Sequence, residues 1–487
     1  MTAALAGVLL YLGLGVAGIL GAGRLAALLA MIGAWGSLLS WAPGFSVEVL
    51  GGSPWGIPLA GDTLAVAFWA LAPLVHAAVW WHERHRSTTF HGLVTLLVGT
   101  CLAAVLSRDL FNLYVLLDLG SLLSVVLISY DRKPRATWAA LRYLLLSALG
   151  MLVYLLGIGL VYGELGTLSL VRIAEIAPNL SHPPLAVGVS LLVMGAAVKA
   201  GVFLFGLWLP PAHGHAPTGV SVILSSVVVK MGVVALARLA EAFPIGLILA
   251  VLGLFTGLGG MIYALWEPDL KVFLAFSTVS QLGYMLIGFG VGGAAAFGAT
   301  LFLIAHGLYK GLLFLAAGAA IEERGERTFD QLAGNLSWGV ALGLAVGSWA
   351  IVGLPPLAGF AAKGALSAGL SPLAKGLIVA LSVGTAAAFS KVLPLLRSRG
   401  PKRGAEAGVV GLILALSAFG AWGFFFVPTV RNPWEWAIVG ATLVAGYGVH
   451  RIVRSASPVL PRLKLANGMV AVLLAVAALA AGTLLLG

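Results

Sequence analysis

The chain has 487 residues, 60% of them apolar and only 9% charged, with a mean hydropathy of +1.06. Its 28 Lys and Arg and 17 Asp and Glu cannot coat a soluble globule, which carries about a quarter charged residues, so lipid is the solvent for most of the chain. That excludes a cytosolic enzyme, a nucleic-acid binder and a disordered chain, and the net charge of +11 reads as basic cytoplasmic loops instead.

Apolar stretches of membrane-crossing length, about 20 residues, recur at 3–22, 25–42, 62–81, 91–107, 109–130, 137–162, 186–207, 217–240, 245–266, 270–290, 296–320, 336–371, 374–397, 408–426, 434–453 and 466–486. The first lacks a basic n-region and reads as a retained span. In lipid, backbone polar groups find partners only within helices. The expected fold is therefore all-α: a polytopic membrane protein of about 14–16 transmembrane helices. With the N-terminus outside, the basic loops 82–91, 131–136, 321–330, 398–405 and 454–464 fall in the cytoplasm, together with Arg24. Loops 43–61, 163–185 and 427–434 fall outside. The location implied is a prokaryotic cell (plasma) membrane, crossed many times.

Two spans are interrupted. The seventh runs into LWLPPAHGHAPT (207–218), with Pro210 and Pro211, and the twelfth contains GLPPLAGF (353–360), with Pro355 and Pro356. Proline removes a backbone donor that a continuous helix needs. Breaks at corresponding places in two halves predict inverted five-helix repeats with discontinuous helices seven and twelve. The expected parts are N-terminal helices in 1–90, a first repeat in 91–240, a second in 245–397 and C-terminal helices in 398–487.

An ionisable group at mid-membrane costs about 2.5–3.5 kcal/mol on insertion scales. Asp118, Lys199, Lys230, His306, Lys310, Lys363 and Lys391 all fall inside predicted spans. His306 and Lys310 are four apart and share a helix face. The plain alternative is snorkelling of long side chains to the headgroups, the better reading for Arg24, Arg238 and Arg397 and an even match for Lys391. Lys199, Lys230 and Lys310 lie too deep for it. Burial disfavours a charged amine and a nearby carboxylate restores it. Asp118 approaching or leaving Lys199 would thus hold or release a proton toward Lys230. Lysine suits this because its charge responds to burial, unlike that of arginine. His213 and His215 flank the first break and are candidates for proton access.

Other motifs are decoys. GLGVAG (13–18) fits a dinucleotide pattern but lies inside a span with no preceding strand. His82, His85 and His91 share a charged loop and read as solvated rather than metal-binding. Asn179-Leu180-Ser181 and Asn335-Leu336-Ser337 match a glycosylation sequon. The single Cys101 excludes an internal disulfide and a Cys-ligated cluster. No cofactor or metal is expected on this chain, and any electron transfer belongs to another polypeptide.

The segments RDLFNLYVLLDLGSLLSVVLISY, ALRYLLLSALGMLVYLLGIGLVYGELGTLSL, VKAGVFLFGLWLPPAHGHAPTGVSVILSSVVVKMGVVALAR, DLKVFLAFSTVSQLGYMLIGFG, HGLYKGLLFLAAG and GLPPLAGFAAKGAL resemble one family over about 60–400. It is the antiporter-like membrane subunits shared by respiratory complex I, Mrp-type Na⁺/H⁺ antiporters and membrane-bound group 4 hydrogenases. The resemblance implies a carboxylate on helix five (Asp118) paired with Lys199 on broken helix seven. It implies a relay lysine on helix eight (Lys230), a His/Lys relay on helix eleven (His306, Lys310) and a terminal base on broken helix twelve (Lys363). Lys391 follows Lys363 by 28 residues as Lys230 follows Lys199 by 31, which makes it the second-half counterpart. Asp118 replaces the family's usual Glu and has a shorter reach. The AH-x-x-APT and VVVKMG stretches look closer to the Mrp and hydrogenase branch.

The reading is therefore a proton-translocating subunit, with or without Na⁺ exchange, that works with other membrane subunits and further antiporter-like ones. An alternative keeps the fold but uses proton motive force to energise a soluble enzyme, such as an inorganic-carbon uptake component. A lipid-embedded synthase is disfavoured, because no acidic cluster is placed to hold a metal and a sugar nucleotide.

Overall fold

The computed structural model describes residues 2–39, 46–51, 56–176, 182–334, 336–397, 406–456, 467–472 and 474. Among these, twelve helical stretches are long and apolar enough to cross a membrane, and two shorter apolar helices, Pro183–Lys199 and Trp338–Val352, join them. The first stretch holds two expected spans. Helices α1 (Thr2–Ala17) and α2 (Gly23–Leu39) meet at a kink in Gly18–Ala22 and pack on each other. Fifteen of the sixteen expected spans are matched. In the sixteenth, residues 467–472 are helical and most of the rest lies outside the described residues. The sequons' Asn179 and Asn335 lie outside them too.

After α2 come a hairpin of β1 (Ser46–Leu50) and β2 (Ile57–Gly61), then α3 (Thr63–His82), α4 (Thr88–Leu106), α5 (Leu110–Ile128), α6 (Pro134–Leu165) and α7 (Leu170–Ile176). The hairpin stands where a loop, 43–61, was expected. The broken seventh span is α8 (Pro183–Lys199) and α9 (Leu209–His215). The eighth is α10 (Thr218–Ile223), a π-helical turn at Leu224–Val228 and α11 (Val229–Ala242). Then follow α12 (Gly246–Trp266), α13 (Leu270–Val291), α14 (Gly293–Arg324) and the short α15 (Phe329–Leu332). The broken twelfth span is α16 (Trp338–Val352) and α17 (Ala358–Ala368). The chain continues through α18 (Pro372–Phe389), α19 (Leu393–Leu396), α20 (Ala407–Phe426) and α21 (Pro433–Arg454).

Local chemistry sets the helix starts. Asp62, Ser87, Asp109, Asp269 and Ser371 each accept a backbone N–H from the first turn of the following helix, satisfying donors that the helix itself cannot. Large apolar side chains such as Leu156, Leu247, Phe255 and Val444 point outward, as a lipid-facing surface requires.

Both breaks are present, but the first lies elsewhere than expected. Helix α8 ends at Lys199 and the unwound segment is 200–208, while Pro210 and Pro211 sit in the first turn of α9. There a missing N–H costs nothing, because first-turn donors have no helical acceptor. The chain leaves the helices through glycine: Gly201 has φ 69° and Gly353 φ 93°, values that side-chain-bearing residues resist. Pro355 and Pro356 do lie in the second unwound segment.

Three of the basic loops, 82–91, 131–136 and 321–330, meet at one end. Arg86 pairs with Asp131, Thr218 Oγ1 donates to Glu322 at 2.9 Å, Gly219 N–H donates to Glu83 at 2.8 Å, and Arg327 Nε donates to Asp269 at 2.5 Å. The hairpin, the Leu59–Ser107 and Asp109–Ser169 bridges and the start of α3 mark the other end.

Candidate functional site

Lys199 is the last residue of α8 and is buried. Its ammonium donates to the Leu117 carbonyl at 3.3 Å and to Ser121 Oγ and Ser147 Oγ. Asp118 Oδ1 lies 3.8 Å away, an ion pair without a hydrogen bond. The Asp118 side chain is 38% exposed, on the outward face of α5 with Val115 and Leu122. The expected partners are thus together, and the shorter acid leaves room for serines to take the hydrogen bonds.

Lys230 is fully buried just past the π-helical turn. Its ammonium donates to the Ser225 and Ser226 carbonyls at 3.0 and 2.7 Å. Ser225 Oγ meets Thr278 Oγ1 at 2.9 Å, and Thr278 donates to the Leu274 carbonyl at 3.0 Å. The same carbonyl accepts from Lys310 at 2.8 Å, and Lys310 also reaches Ser277 Oγ. Lys230 and Lys310 are thus linked through α13. His306 lies within electrostatic range of Lys230, Lys310 and His213. Its ring nitrogens meet no protein hydrogen-bond partner among the described residues.

A second polar run reaches the other break. Tyr309 donates to Gln281 at 3.2 Å, Gln281 donates to Thr385 at 3.2 Å, and the Tyr284 hydroxyl lies 3.4 Å from Thr385. The Lys363 ammonium stands 5.6 Å above the Tyr284 ring and donates to the Val352 carbonyl at 2.9 Å. Val352 ends α16. Both break lysines therefore sit where a half-helix presents its negative C-terminal end, which stabilises a cation. Lys391 stands apart from these runs. It donates to the Ala264 and Glu267 carbonyls at 2.7 and 2.8 Å, at the end of α12, over the Phe273 and Phe329 rings.

At the basic end a cavity of about 150 Å³ is lined by Arg86, Asp131, His215, Lys271, Glu322 and Arg327 among others. His213 is buried behind it, 6.0 Å from the Trp208 ring. Lys271 escaped the sequence reading because it is the second residue of its helix. It is nonetheless buried and donates to the Ala216 carbonyl at 2.8 Å.

Arg238 does not snorkel, contrary to its sequence expectation. It is fully buried and grips Asp62 with two hydrogen bonds of 2.6 and 2.9 Å, and it also donates to Glu241 at 3.0 Å and the Val105 carbonyl at 3.1 Å. Arg108 binds Asp62 at 2.8 Å and also Glu241. Four charges in mutual contact at the end opposite the basic loops cost less to bury than to separate. Arg24 and Arg397 are exposed as expected. His82 pairs with Glu406 at 2.8 Å, and no metal-binding cluster occurs among the described residues.

Residues 107–389 match the profile of the family described as NADH:quinone oxidoreductase/Mrp antiporter, TM. NADH-quinone oxidoreductase subunit N of Desulforudis audaxviator (strain MP104C) is 34% identical over 383 residues, 73% of this chain and 75% of that protein. A Na(+)/H(+) antiporter subunit of Alkalihalophilus pseudofirmus is 35% identical over 301 residues, which are 56% of this chain and 37% of that much longer protein. Among solved structures, the Mrp complex from Dietzia sp. DQ12-45-1b superposes with a TM-score of 0.79 at 26% identity, covering 98% of this chain and 59% of that one. An archaeal membrane-bound sulfane sulfur reductase shares the fold, with a TM-score of 0.78 at 20% identity over 90% of this chain and 99% of that one. These likenesses fall on both branches, and they do not favour the inorganic-carbon alternative. With its match over residues 107–389 and its buried lysines and histidine, the chain belongs to the NADH:quinone oxidoreductase/Mrp antiporter family of transmembrane subunits.

Proposed function

We propose that this subunit translocates protons along Asp118, Lys199, Lys230, His306, Lys310 and Lys363. The observation that carries the reading is the row itself: Lys199, Lys230, His306 and Lys310, all buried, with part-buried Lys363 at the second break, linked in part by hydroxyls and an amide through α13. Lys199 holds a proton while Asp118 is near, and loses its electrostatic support when Asp118 swings away. The proton then passes toward Lys230. His213 and His215, beside the cavity at the basic end, supply access from the cytoplasm. Lys391 contributes to the architecture at that end.

Element order supports two oppositely threaded repeats over 91–240 and 245–397. Helices α6 and α14 each have 32 residues, and a broken helix follows each. The Asp109–Ser169 and Asp269–Thr328 bridges lie at opposite ends. Half-exposure of Asp118 supports packing of a further antiporter-like chain over α5, since a carboxylate facing lipid costs about 2.5–3.5 kcal/mol. The complex resides in the cell membrane, moves H⁺ with or without Na⁺ exchange, and takes its driving reaction from other subunits.

The test is Lys199→Ala in the assembled complex, with proton movement followed by a fluorescent pH probe in inverted vesicles. Translocation falls to background. A wild-type rate, with the complex present at normal abundance, would overturn the proposal.

A further inference from the structure

An ammonium has three N–H donors. That of Lys199 finds three neutral oxygens: the Leu117 carbonyl, Ser121 Oγ and Ser147 Oγ. Asp118, at 3.8 Å, acts through charge alone. Its departure therefore strands no hydrogen bond.

The two hydroxyls differ. Ser121 commits its own proton to the Leu117 carbonyl at 2.9 Å, one turn back on α5, and accepts from Tyr143 at 3.3 Å. Toward Lys199 it can only accept. Ser147 is buried on α6 and makes no donated hydrogen bond of its own among the described residues. A neutral amine offers two N–H groups and a lone pair, and that lone pair needs a donor. The Leu117 carbonyl has no proton to give, and Ser121 has given its own. Ser147 alone of the three can turn its O–H round.

We propose that Ser147 is a positioning residue that reverses its hydrogen bond as Lys199 changes protonation. It accepts from the ammonium and donates to the amine. Both states of Lys199 then stay satisfied in a buried site, and Asp118 is free to act as a pure electrostatic trigger. This rests on the relay reading of Lys199 given above.

The experiment compares Ser147→Ala, Ser147→Thr and Ser121→Ala in the assembled complex, with rates of proton translocation measured across pH. Ser121→Ala removes an acceptor in both states, and the bond it takes from the charged ammonium is the stronger one. It moves the pH profile about one unit acidward and lowers the maximum rate less than Ser147→Ala does. Ser147→Ala removes an acceptor from the ammonium and also leaves the lone pair of the neutral amine without a donor. It lowers the maximum rate about tenfold and moves the profile less than Ser121→Ala does. Ser147→Thr, which keeps the hydroxyl, restores the rate. Ser147→Cys, a weak donor, gives an intermediate rate and serves if the alanine variant does not assemble. A wild-type rate in Ser147→Ala, identical behaviour of the two alanine variants, or failure of threonine to rescue would overturn the assignment. An active Lys199→Ala would instead overturn the relay itself.

Discussion

Removing one partner from the buried charge cluster gives the sharpest stability prediction. Arg238→Met keeps an unbranched apolar stem and deletes a guanidinium with no exposed surface. Asp62 then loses two hydrogen bonds, of 2.6 and 2.9 Å, and keeps the one from Arg108 at 2.8 Å. Breaking a buried pair from one side costs about 3–5 kcal/mol. The surviving Arg108 contact places this case near the lower end, about 3 kcal/mol. Glu241 adds little because it is half exposed. In a cycle with Asp62→Asn, the double variant should lose at least about 1 kcal/mol less than the two single losses combined, since both report one interaction. Burial opposes ionisation of Asp62, but the hydrogen bonds and charge of Arg238 and the charge of Arg108 outweigh it and hold the carboxyl below its ordinary value of 3.8. Its stabilisation is therefore fully present above that ordinary value and lost as pH falls through the lower folded one. Between pH 5 and 8 it contributes no slope. The assay is thermal unfolding of the detergent-solubilised complex, followed by size-exclusion fluorescence at pH 7 and pH 3. An Arg238→Met protein as stable as wild type, or fully additive single losses, would refute the reasoning.

Two further substitutions probe the breaks and the relay. A Cβ on Gly232 would stand 2.1 Å from the Ala200 backbone nitrogen. Gly232→Ala should therefore push α11 off the end of α8, costing about 1–3 kcal/mol and lowering translocation. Gly159→Ala, with nothing within 4 Å, should be silent in both assays. Lys391 holds helix-end carbonyls rather than joining the polar runs, so Lys391→Ala should keep most proton translocation in vesicles, whereas Lys310→Ala should abolish it. Equal losses would place Lys391 on the path.

Spans and breaks were legible because lipid imposes a simple rule: long apolar runs become helices, and proline or glycine pairs interrupt them. Isolated lysines in such runs stood out for the same reason, and Asp118 did face Lys199. Adjacency was not legible. Ser121 and Ser147 are ordinary small residues until α5, α6 and α8 bring them round one amine. The π-helical turn before Lys230 has no compositional mark. Arg238 and Lys271 lie near helix ends, where snorkelling or solvation is the sound default, and only tertiary packing against Asp62 and Ala216 removes that option. The first break was placed too late because its prolines mark where α9 begins, whereas Gly201 marks where α8 lets go.

The amines of buried Lys199, Lys230, Lys271 and Lys310 and of part-buried Lys363 and Lys391 each rest on at least one peptide oxygen. Peptide oxygens keep their dipoles at every pH and do not depart like a counterion. The protein thus replaces the hydration of its amines with a permanent shell of main chain. In the proposed relay, a base emptied of its proton refills without the scaffold rebuilding around it, and loading and unloading are matters of electrostatics rather than of refolding.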